Sequence, residues 1–329
     1  MTIQEAAEVV AIDLSGDGCY NPNLKLLDPE DVMLLCSTLV TKKAPWTVEN
    51  PAVEPVYDQV PVLNESSTVI QLAHLSVKDY LTSDRIKKSS VSYFSFDMIS
   101  ANTYISQACL VYLLHPAFSL PRCNGPTLRR HIVDWPLYYY AVNFWPFHVQ
   151  ASGPELHERT WCLLQKFFKT KNIHKPGGNF ETWVRALTPS ISIRALEISQ
   201  PLYYAASFGV TPLIQKLLES DPNLDVDAPG GRYMSSPLQV AGYRGHTAAV
   251  KLLLEAGADP MSVNAQSESS LSWAIIRGYH DVVELLTGSG AYVTKRDLAL
   301  AEKYGYFAHS LIRARVRGGV TEDINSSDT

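Results

Sequence analysis

The feature that most constrains this chain is an internal repeat in its last third. The segment at 201–209 recurs at 237–245, at 270–278 and, more weakly, at 297–305, with Ala and Gly at equivalent positions. The alanines at 205, 241, 274 and 301 lie 36, 33 and 27 residues apart. A period of this size is typical of a solenoid, in which each repeat contacts only its neighbours.

Each repeat predicts two helices joined by a tight turn. After the first three copies comes a second amphipathic run with apolar residues at i, i+3 and i+4, which gives one buried helical face. We expect Gly209, Gly245 and Gly278 to form the turns, and Gly257 and Gly290 to end second helices in a left-handed conformation. One such unit cannot bury its own apolar face, so the units must stack.

The repeat motifs also carry a family resemblance. The P-L-x-x-A element, the Gly-His pair at 245–246 and the L-L-L-E-x-G-A-D run at 252–259 occur in the order found in ankyrin repeats. Residues 197–315 therefore resemble that family, which implies an α-solenoid of three repeats plus a C-terminal cap. The last spacing is six residues short, so the cap at 295–315 is expected to have no finger hairpin. Residues 316–329 are expected to form a disordered tail.

The first two thirds of the chain show no repeat, and we expect this part to be mainly α. We predict a winged-helix-like segment at 1–95 with a Pro-rich insertion at 42–64, followed by a helical linker region at 96–195. Several stretches, including 7–13, 69–81 and 136–141, are similar to the region between the nucleotide-binding module and the ankyrin array of fungal NACHT–ankyrin proteins. Those are STAND-type NTPases associated with self/non-self recognition.

The NTPase activity of that class is not expected here. A phosphate-binding loop needs G-x-x-x-x-G-K-[ST], and the sequence has no Gly-Lys pair. The histidines show no metal-ligand spacing, and the five cysteines include no C-x-x-C. We therefore expect no catalytic, cofactor-binding or metal-binding residues, and the chain is predicted not to be an enzyme.

Composition narrows the choice of partner and compartment. A net charge of -5 and an isoelectric point near 6.0 argue against a protein built to grip nucleic acid. No apolar stretch approaches 18 residues, and the N-terminus has no basic segment of a secretory signal. We expect a cytoplasmic protein, with a nuclear location left open. Nucleic acid, membranes and small-molecule substrates are not expected as partners.

The dense aromatic cluster at 135–147 allows two interpretations. Its rings could stack on nucleic-acid bases. However, Tyr138, Val142 and Trp145 fall on one helical face, and few Lys or Arg residues lie between them. We favour packing in the protein core.

Two other polar features have simple structural interpretations. The stretch at 13–18 imitates the first half of a calcium-binding loop, but its twelfth position is Leu24 instead of a bidentate carboxylate. A polar turn is therefore favoured. His246 follows a turn glycine, where we expect it to bond to neighbouring backbone.

One surface carries a binding hypothesis. In stacked ankyrin units the finger tips and the residues just before each turn glycine line a concave face. By repeat register, these residues are Phe208, Tyr233, Met234, Tyr243, Arg244, Ile276 and Arg277. Exposed aromatic and Arg side chains are typical of protein interfaces. The alternative is that some of them pack between the fingers.

These observations favour a non-catalytic scaffold that recognises a protein partner, of unknown identity, through its repeat surface and without a cofactor. Two alternatives remain open. The chain could be a truncated STAND-type signalling or self/non-self recognition protein that lacks its NTPase module. It could also be a transcriptional coregulator or adaptor, although no basic cluster supports contact with DNA.

Overall fold

The computed structural model describes residues 1–35, 39–43, 69–119, 130, 134–170 and 177–304. The chain divides into two compact units, Met1–Ser190 and Ile191–Thr329. Nearly all of the predicted Pro-rich insertion at 42–64 lies outside the described residues, as do the end of the predicted cap at 305–315 and the predicted tail at 316–329.

The first unit is mostly helical, with two small antiparallel sheets. Its strands are β1 (Ile12–Asp13) and β2 (Cys19–Tyr20), which pair with each other, and β3 (Val40–Lys43) and β4 (Val69–Leu72), which pair with Val40 opposite Leu72. Its helices are α1 (Ile3–Val9), α2 (Asp31–Leu35), α3 (Leu75–Thr82), α4 (Asp84–Lys87), α5 (Met98–Leu113), α6 (Leu137–Ala151), α7 (Glu158–Lys169) and α8 (Asn179–Leu187). Short 3-10 turns occupy Pro22–Leu24, Ser92–Phe94 and Pro116–Phe118.

The core of the first unit is rich in aromatic rings. Helix α5 packs along α6 and α7, and both of these contact α8. The rings of Trp145, Phe167, Phe180 and Trp183 pack against one another, with centroids 5.5–6.4 Å apart. Trp183 also donates from Nε1 to the carbonyl oxygen of Val142 at 2.9 Å.

A buried carboxylate joins the N-terminal helix to distant parts of this unit. Glu8 Oε1 accepts from the Tyr20 hydroxyl at 2.9 Å and pairs with Lys25 Nζ at 2.8 Å. Oε2 accepts from the Tyr112 hydroxyl and from the backbone N–H of Leu137. Burial, together with the Glu8 carboxylate, raises the pKa of both tyrosines above the usual range. This arrangement satisfies the buried carboxylate and holds α1 to α5 and α6.

The second unit is a stack of helix pairs. It begins with α9 (Ile193–Ile198). The inner helices are α10 (Pro201–Phe208), α12 (Pro237–Arg244), α14 (Ser270–Arg277) and α16 (Lys295–Lys303), and the outer helices are α11 (Thr211–Ser220), α13 (Thr247–Glu255) and α15 (His280–Gly288). Inner helices contact inner helices and outer helices contact outer helices along the stack. The mainly helical class and the α-solenoid predicted from the repeat are confirmed; a winged-helix-like topology for the first unit stays a prediction.

The turn glycines explain why the repeats stack so regularly. Gly209, Gly245 and Gly278 end the inner helices with φ of 67–73°, a left-handed conformation that favours glycine. The His246 ring packs over Gly209, and the Tyr279 ring packs over Gly245. A methyl group at either glycine would lie within 2.7–2.8 Å of the ring above it. Each turn glycine is thus needed for its conformation and, in these two cases, for the side chain of the next repeat.

The predicted core helix in the first unit is confirmed in part. Tyr138, Val142 and Trp145 are buried, as expected for core packing. Phe144 and Phe147 are exposed, so these two members of the aromatic cluster are not core residues.

Within the described part of the chain, no helix combines the length and apolar character needed to cross a membrane.

Candidate protein-binding surface

The predicted surface residues become more exposed along the solenoid. In the first repeat, Ser207 and Phe208 on α10 are only 2% and 7% exposed. At the matching positions of the second repeat Tyr243 and Arg244 are partly exposed, and in the third repeat Arg277, which matches Phe208, is exposed. The prediction that Phe208 offers an exposed ring is therefore wrong, because its side chain is packed in the interior.

Three side chains form a preorganised cluster between the second and third repeats. The Arg277 guanidinium lies 4.6 Å from the centroid of the Tyr243 ring, and its Nη2 donates to the Tyr243 hydroxyl at 3.0 Å. The Tyr243 ring in turn meets Trp273 edge to face, with centroids 4.7 Å apart and planes at 82°. Such cation–π and T-shaped contacts fix side-chain rotamers before any ligand arrives. Ile276, also partly exposed, precedes Arg277 on α14.

Two fingers precede the helices that carry this cluster. Finger 1 (residues 226–236) closes with an antiparallel bridge between Gly230 and Ser235, and finger 2 (residues 258–269) closes with one between Val263 and Ser269. Their tips share a geometry, since Met234 and Ser267, 33 residues apart, both have a positive φ, of 55° and 58°. The two fingers therefore repeat the backbone conformation as well as the sequence spacing.

The finger tips are tied to each other and carry exposed apolar side chains. The backbone N–H of Ala265 donates to the carbonyl oxygen of Tyr233 at 3.2 Å, which joins the two fingers. Tyr233 is 49% exposed, with the Arg232 guanidinium 5.4 Å from its ring centroid, and Val263 is 60% exposed. We refer to the surface formed by both fingers and the exposed sides of α12 and α14 as the repeat 2–3 groove.

Buried polar contacts hold the floor of this groove in place. Gln239 donates from Nε2 to the carbonyl oxygen of Ser262 at 2.6 Å, which ties α12 to finger 2. The Ser270 hydroxyl donates to the carbonyl oxygen of Leu238 at 3.1 Å and so ties α14 to α12. Gly242 faces Ser270 Oγ at a distance that leaves no space for a side chain. These contacts make the spacing of the inner helices a fixed feature.

His246 plays the structural part predicted for it. Its Nε2 bonds to the carbonyl oxygen of Ser207 in the preceding repeat at 3.0 Å. Burial lowers the pKa of His246; the bond to Ser207 opposes this effect, and the positive charge of Arg244 adds to it. The ring is therefore a neutral link between repeats.

The other predicted polar feature also has a structural role. The loop between β1 and β2 is a polar turn, in which Asp13 accepts from the backbone N–H of Ser15 at 2.7 Å and Asp17 pairs with Lys166 at 3.0 Å. Across the described ranges, no group of three or more His, Cys, Asp or Glu side chains is placed to hold a metal ion.

Sequence reasoning missed two groove residues, Trp273 and Val263. Trp273 lies on α14 one helical turn before Arg277, at the position that matches Tyr204, so the same register could have found it. Val263 precedes the tip of finger 2 and has no counterpart among the motifs that the repeats share.

Comparison with known proteins identifies the repeats. Residues 201–297 match the family model for ankyrin repeats, in three copies. This segment is an ankyrin-repeat array. The matched residues run from α10 to the beginning of α16, so they include both fingers and the whole repeat 2–3 groove. Ankyrin repeats are an interaction module for protein partners, and the predicted resemblance to that family is confirmed.

Two relatives extend the comparison beyond the array. The chain is 29% identical over 274 residues to the azaphilone pigments biosynthesis cluster protein L of Monascus ruber, which covers 79% of this chain and 52% of the relative. It is 33% identical over 129 residues to a transient receptor potential cation channel subfamily A member 1 homolog of Caenorhabditis elegans, which covers 37% of this chain and 10% of the channel. The chain thus matches about half of the first relative and a tenth of the second. The similarity of the first unit to NACHT–ankyrin proteins stays a prediction.

Proposed function

We propose that this chain is a non-catalytic scaffold that binds a protein partner in the repeat 2–3 groove. The observation that carries this proposal is the Tyr243–Trp273–Arg277 cluster. Aromatic and Arg side chains that are held rigid and partly exposed are the residue types that dominate binding energy at protein interfaces. Here they lie on helices whose spacing is fixed by buried hydrogen bonds, so little ordering entropy remains to be lost on binding.

The exposure of the inner-helix side chains favours the second and third repeats as the binding site. The same register positions are buried in the first repeat and open in the third, so a partner would meet the second and third repeats. The two joined fingers add Tyr233 and Val263 to the same surface. Together these residues combine apolar area with hydrogen-bonding groups, as a specific interface requires.

A differential capture experiment tests the proposal. Immobilised wild-type chain and a Tyr243→Ala/Trp273→Ala variant are exposed to an extract of the cells that express the protein. Loss of aromatic anchors costs about 2 kcal/mol or more, roughly 30-fold in affinity. We expect a protein that the wild type retains and the groove variant loses.

A matched control is available in the first unit, where the Arg85 guanidinium lies 5.9 Å from the Tyr80 ring centroid. A Tyr80→Ala/Arg85→Ala variant removes a similar Arg–Tyr pair outside the array and should retain the partner. If the groove variant and this control retained the same proteins as the wild type, the groove would not be the binding site.

The relative from Monascus ruber favours a second, more specific candidate. Its name assigns it to an azaphilone pigment biosynthesis cluster, and the 274 matched residues exceed the length of the second unit, so the similarity reaches into the first. We propose that this chain also serves a fungal biosynthetic pathway, by binding one of its proteins. Deleting the gene should change the secondary metabolites of the host, and the Tyr243→Ala/Trp273→Ala variant should fail to restore them. An unchanged metabolite profile would contradict this candidate.

A further inference from the structure

A short basic segment of the first unit leads into an exposed serine. Lys87 is the last residue of α4, and Lys88 follows it directly. Ser90 lies three and two residues after these lysines, and the apolar Val91 comes next. Protein kinases select their substrates by charge patterns of this kind. Two cations, any residue, a serine and an apolar residue form the order that a kinase with an acidic substrate cleft recognises.

The side chains that such a kinase would contact are accessible. Lys87, Lys88 and Ser90 are exposed, and Val91 is 43% exposed. The segment is anchored to the core by Ile86, which is buried and precedes all four of these residues. A substrate cleft can therefore reach them without displacing the core.

The backbone around Ser90 is loosely held. Residues 88–91 form a turn between α4 and the 3-10 turn at Ser92–Phe94. The hydrogen bonds of the turn are local ones, such as Lys88 N–H to the carbonyl oxygen of Asp84 at 3.3 Å. Within the described part of the chain, neither the backbone nor the hydroxyl of Ser90 forms a hydrogen bond with the protein. Exposed segments with only local bonds open at small cost, as entry into an enzyme cleft requires.

The neighbouring serines are less suited to modification. The Ser89 hydroxyl donates to the carbonyl oxygen of Ile86 at 2.7 Å and accepts from the backbone N–H of Val91 at 3.2 Å. Ser92 lies two residues further from the lysines than Ser90 does. Ser90 is thus the serine of this turn that combines an available hydroxyl with the spacing to both cations.

Both ammonium groups are available to an enzyme. Lys87 pairs with Asp84 at 3.4 Å, and both side chains of this pair are exposed. Such a pair contributes little to stability, because water screens it, so carboxylates of another protein can replace it. Lys88 has no ion pair among the residues that the structure describes.

We propose that Ser90 is a phosphorylation site for a protein kinase whose substrate cleft carries carboxylates. The Ser90 hydroxyl oxygen bonds to the γ-phosphorus of ATP held by the kinase, the bond to the β-phosphate oxygen breaks, ADP leaves, and the hydroxyl proton passes to the catalytic base of the kinase. The new phosphate carries a charge of about -1.5 to -2 beside Lys87 and Lys88. Charge-assisted hydrogen bonds from these ammonium groups then order the turn. This modification is independent of binding in the groove.

Phosphorylation of the full chain in vitro tests the site. The chain is incubated with ATP, Mg²⁺ and the catalytic subunit of cyclic-AMP-dependent protein kinase, and the modified residue is located by mass spectrometry. We expect phosphate on Ser90. Lys87→Ala/Lys88→Ala should lower kcat/KM of this reaction by about 100-fold or more, the loss of two charge-assisted hydrogen bonds. Lys87→Arg/Lys88→Arg keeps both charges and should retain the wild-type rate.

A matched control is the other pair of adjacent lysines in the first unit, on β3. Lys42→Ala/Lys43→Ala removes the same charge and should leave phosphorylation of Ser90 unchanged. Phosphate on other residues with Ser90 unmodified, or equal rates for the wild type and Lys87→Ala/Lys88→Ala, would overturn the proposal.

The chain isolated from the cells that express it provides a second readout. It should carry phosphoserine at position 90 in the wild type and lose it in Lys87→Ala/Lys88→Ala. Wild-type chain without phosphate at Ser90 in those cells would also overturn the proposal.

Discussion

Because the Tyr279 ring packs over Gly245, we predict that a side chain at this glycine weakens the contact between neighbouring repeats. Gly245 and Gly278 have nearly identical backbones, with φ of 73° at both and ψ of 24° and 26°. A methyl group at Gly245 would lie 2.8–2.9 Å from three atoms of the Tyr279 ring, whereas one at Gly278 would meet nothing within 4 Å. The two glycines therefore differ in their surroundings and not in their conformation.

The magnitudes follow from this difference. An alanine in the left-handed conformation costs roughly 1–2 kcal/mol, and this cost applies to Gly245→Ala and Gly278→Ala alike. Carbon atoms pack best at about 3.5–4.0 Å, so the Tyr279 ring must shift in Gly245→Ala. Such overpacking adds about 1–3 kcal/mol. We expect Gly278→Ala to lower the free energy of unfolding by about 1–2 kcal/mol and Gly245→Ala by about 2–5 kcal/mol.

Amide hydrogen exchange of α12 and α14 in the full chain measures this free energy for the second unit without interference from the first. Replacing Tyr279 by Ala provides the control, because it removes the obstructing ring. In that background the two glycine variants should agree within about 0.5 kcal/mol. Equal costs for Gly245→Ala and Gly278→Ala in the wild-type background would refute the role assigned to the ring.

Three further predictions follow. Burial lowers the pKa of His246 below the usual 6.5, so at a pH between the folded-state pKa and 6.5 the unfolded chain binds more protons than the folded one. The free energy of unfolding, measured by hydrogen exchange near Ser207, should therefore fall as the pH drops from about 7 to about 5. His246→Gln should reduce this slope. Phe208→Ala should cost about 3–5 kcal/mol in chemical denaturation, whereas Arg277→Ala should cost less than about 1 kcal/mol, and equal losses would contradict their assigned burial. Calorimetric titration with Mg²⁺ and ATP should show no binding, because the sequence has no phosphate-binding loop, and tight binding would refute this prediction.

The repeat made the second unit predictable from sequence. Turn positions follow from the glycine spacing, because a left-handed helix end strongly favours glycine. The exposure of Phe208 was mispredicted because register fixes the direction of a side chain along the stack but not what packs against it. Trp273 was not predicted because only residues next to the turn glycines were assigned to the surface, although a position one helical turn earlier shares their face.

The first unit was less predictable because its contacts are distant in sequence. Glu8 is 104 residues from Tyr112 and 129 from Leu137, and no local pattern relates these positions. The helical face of Tyr138 and Trp145 could be read from periodicity. Phe144 lies beside that face and is exposed. Periodicity alone does not show whether a large aromatic side chain beside a buried face is itself buried or exposed.

The central claim is that a protein partner binds the repeat 2–3 groove. The most direct measurement is amide hydrogen exchange of the full chain with and without a partner retained in the differential capture. We predict slower exchange in finger 1, in finger 2 and at the C-terminal ends of α12 and α14, with no change in the outer helices α11 and α13. Slower exchange confined to the outer helices or to the first unit would contradict the claim.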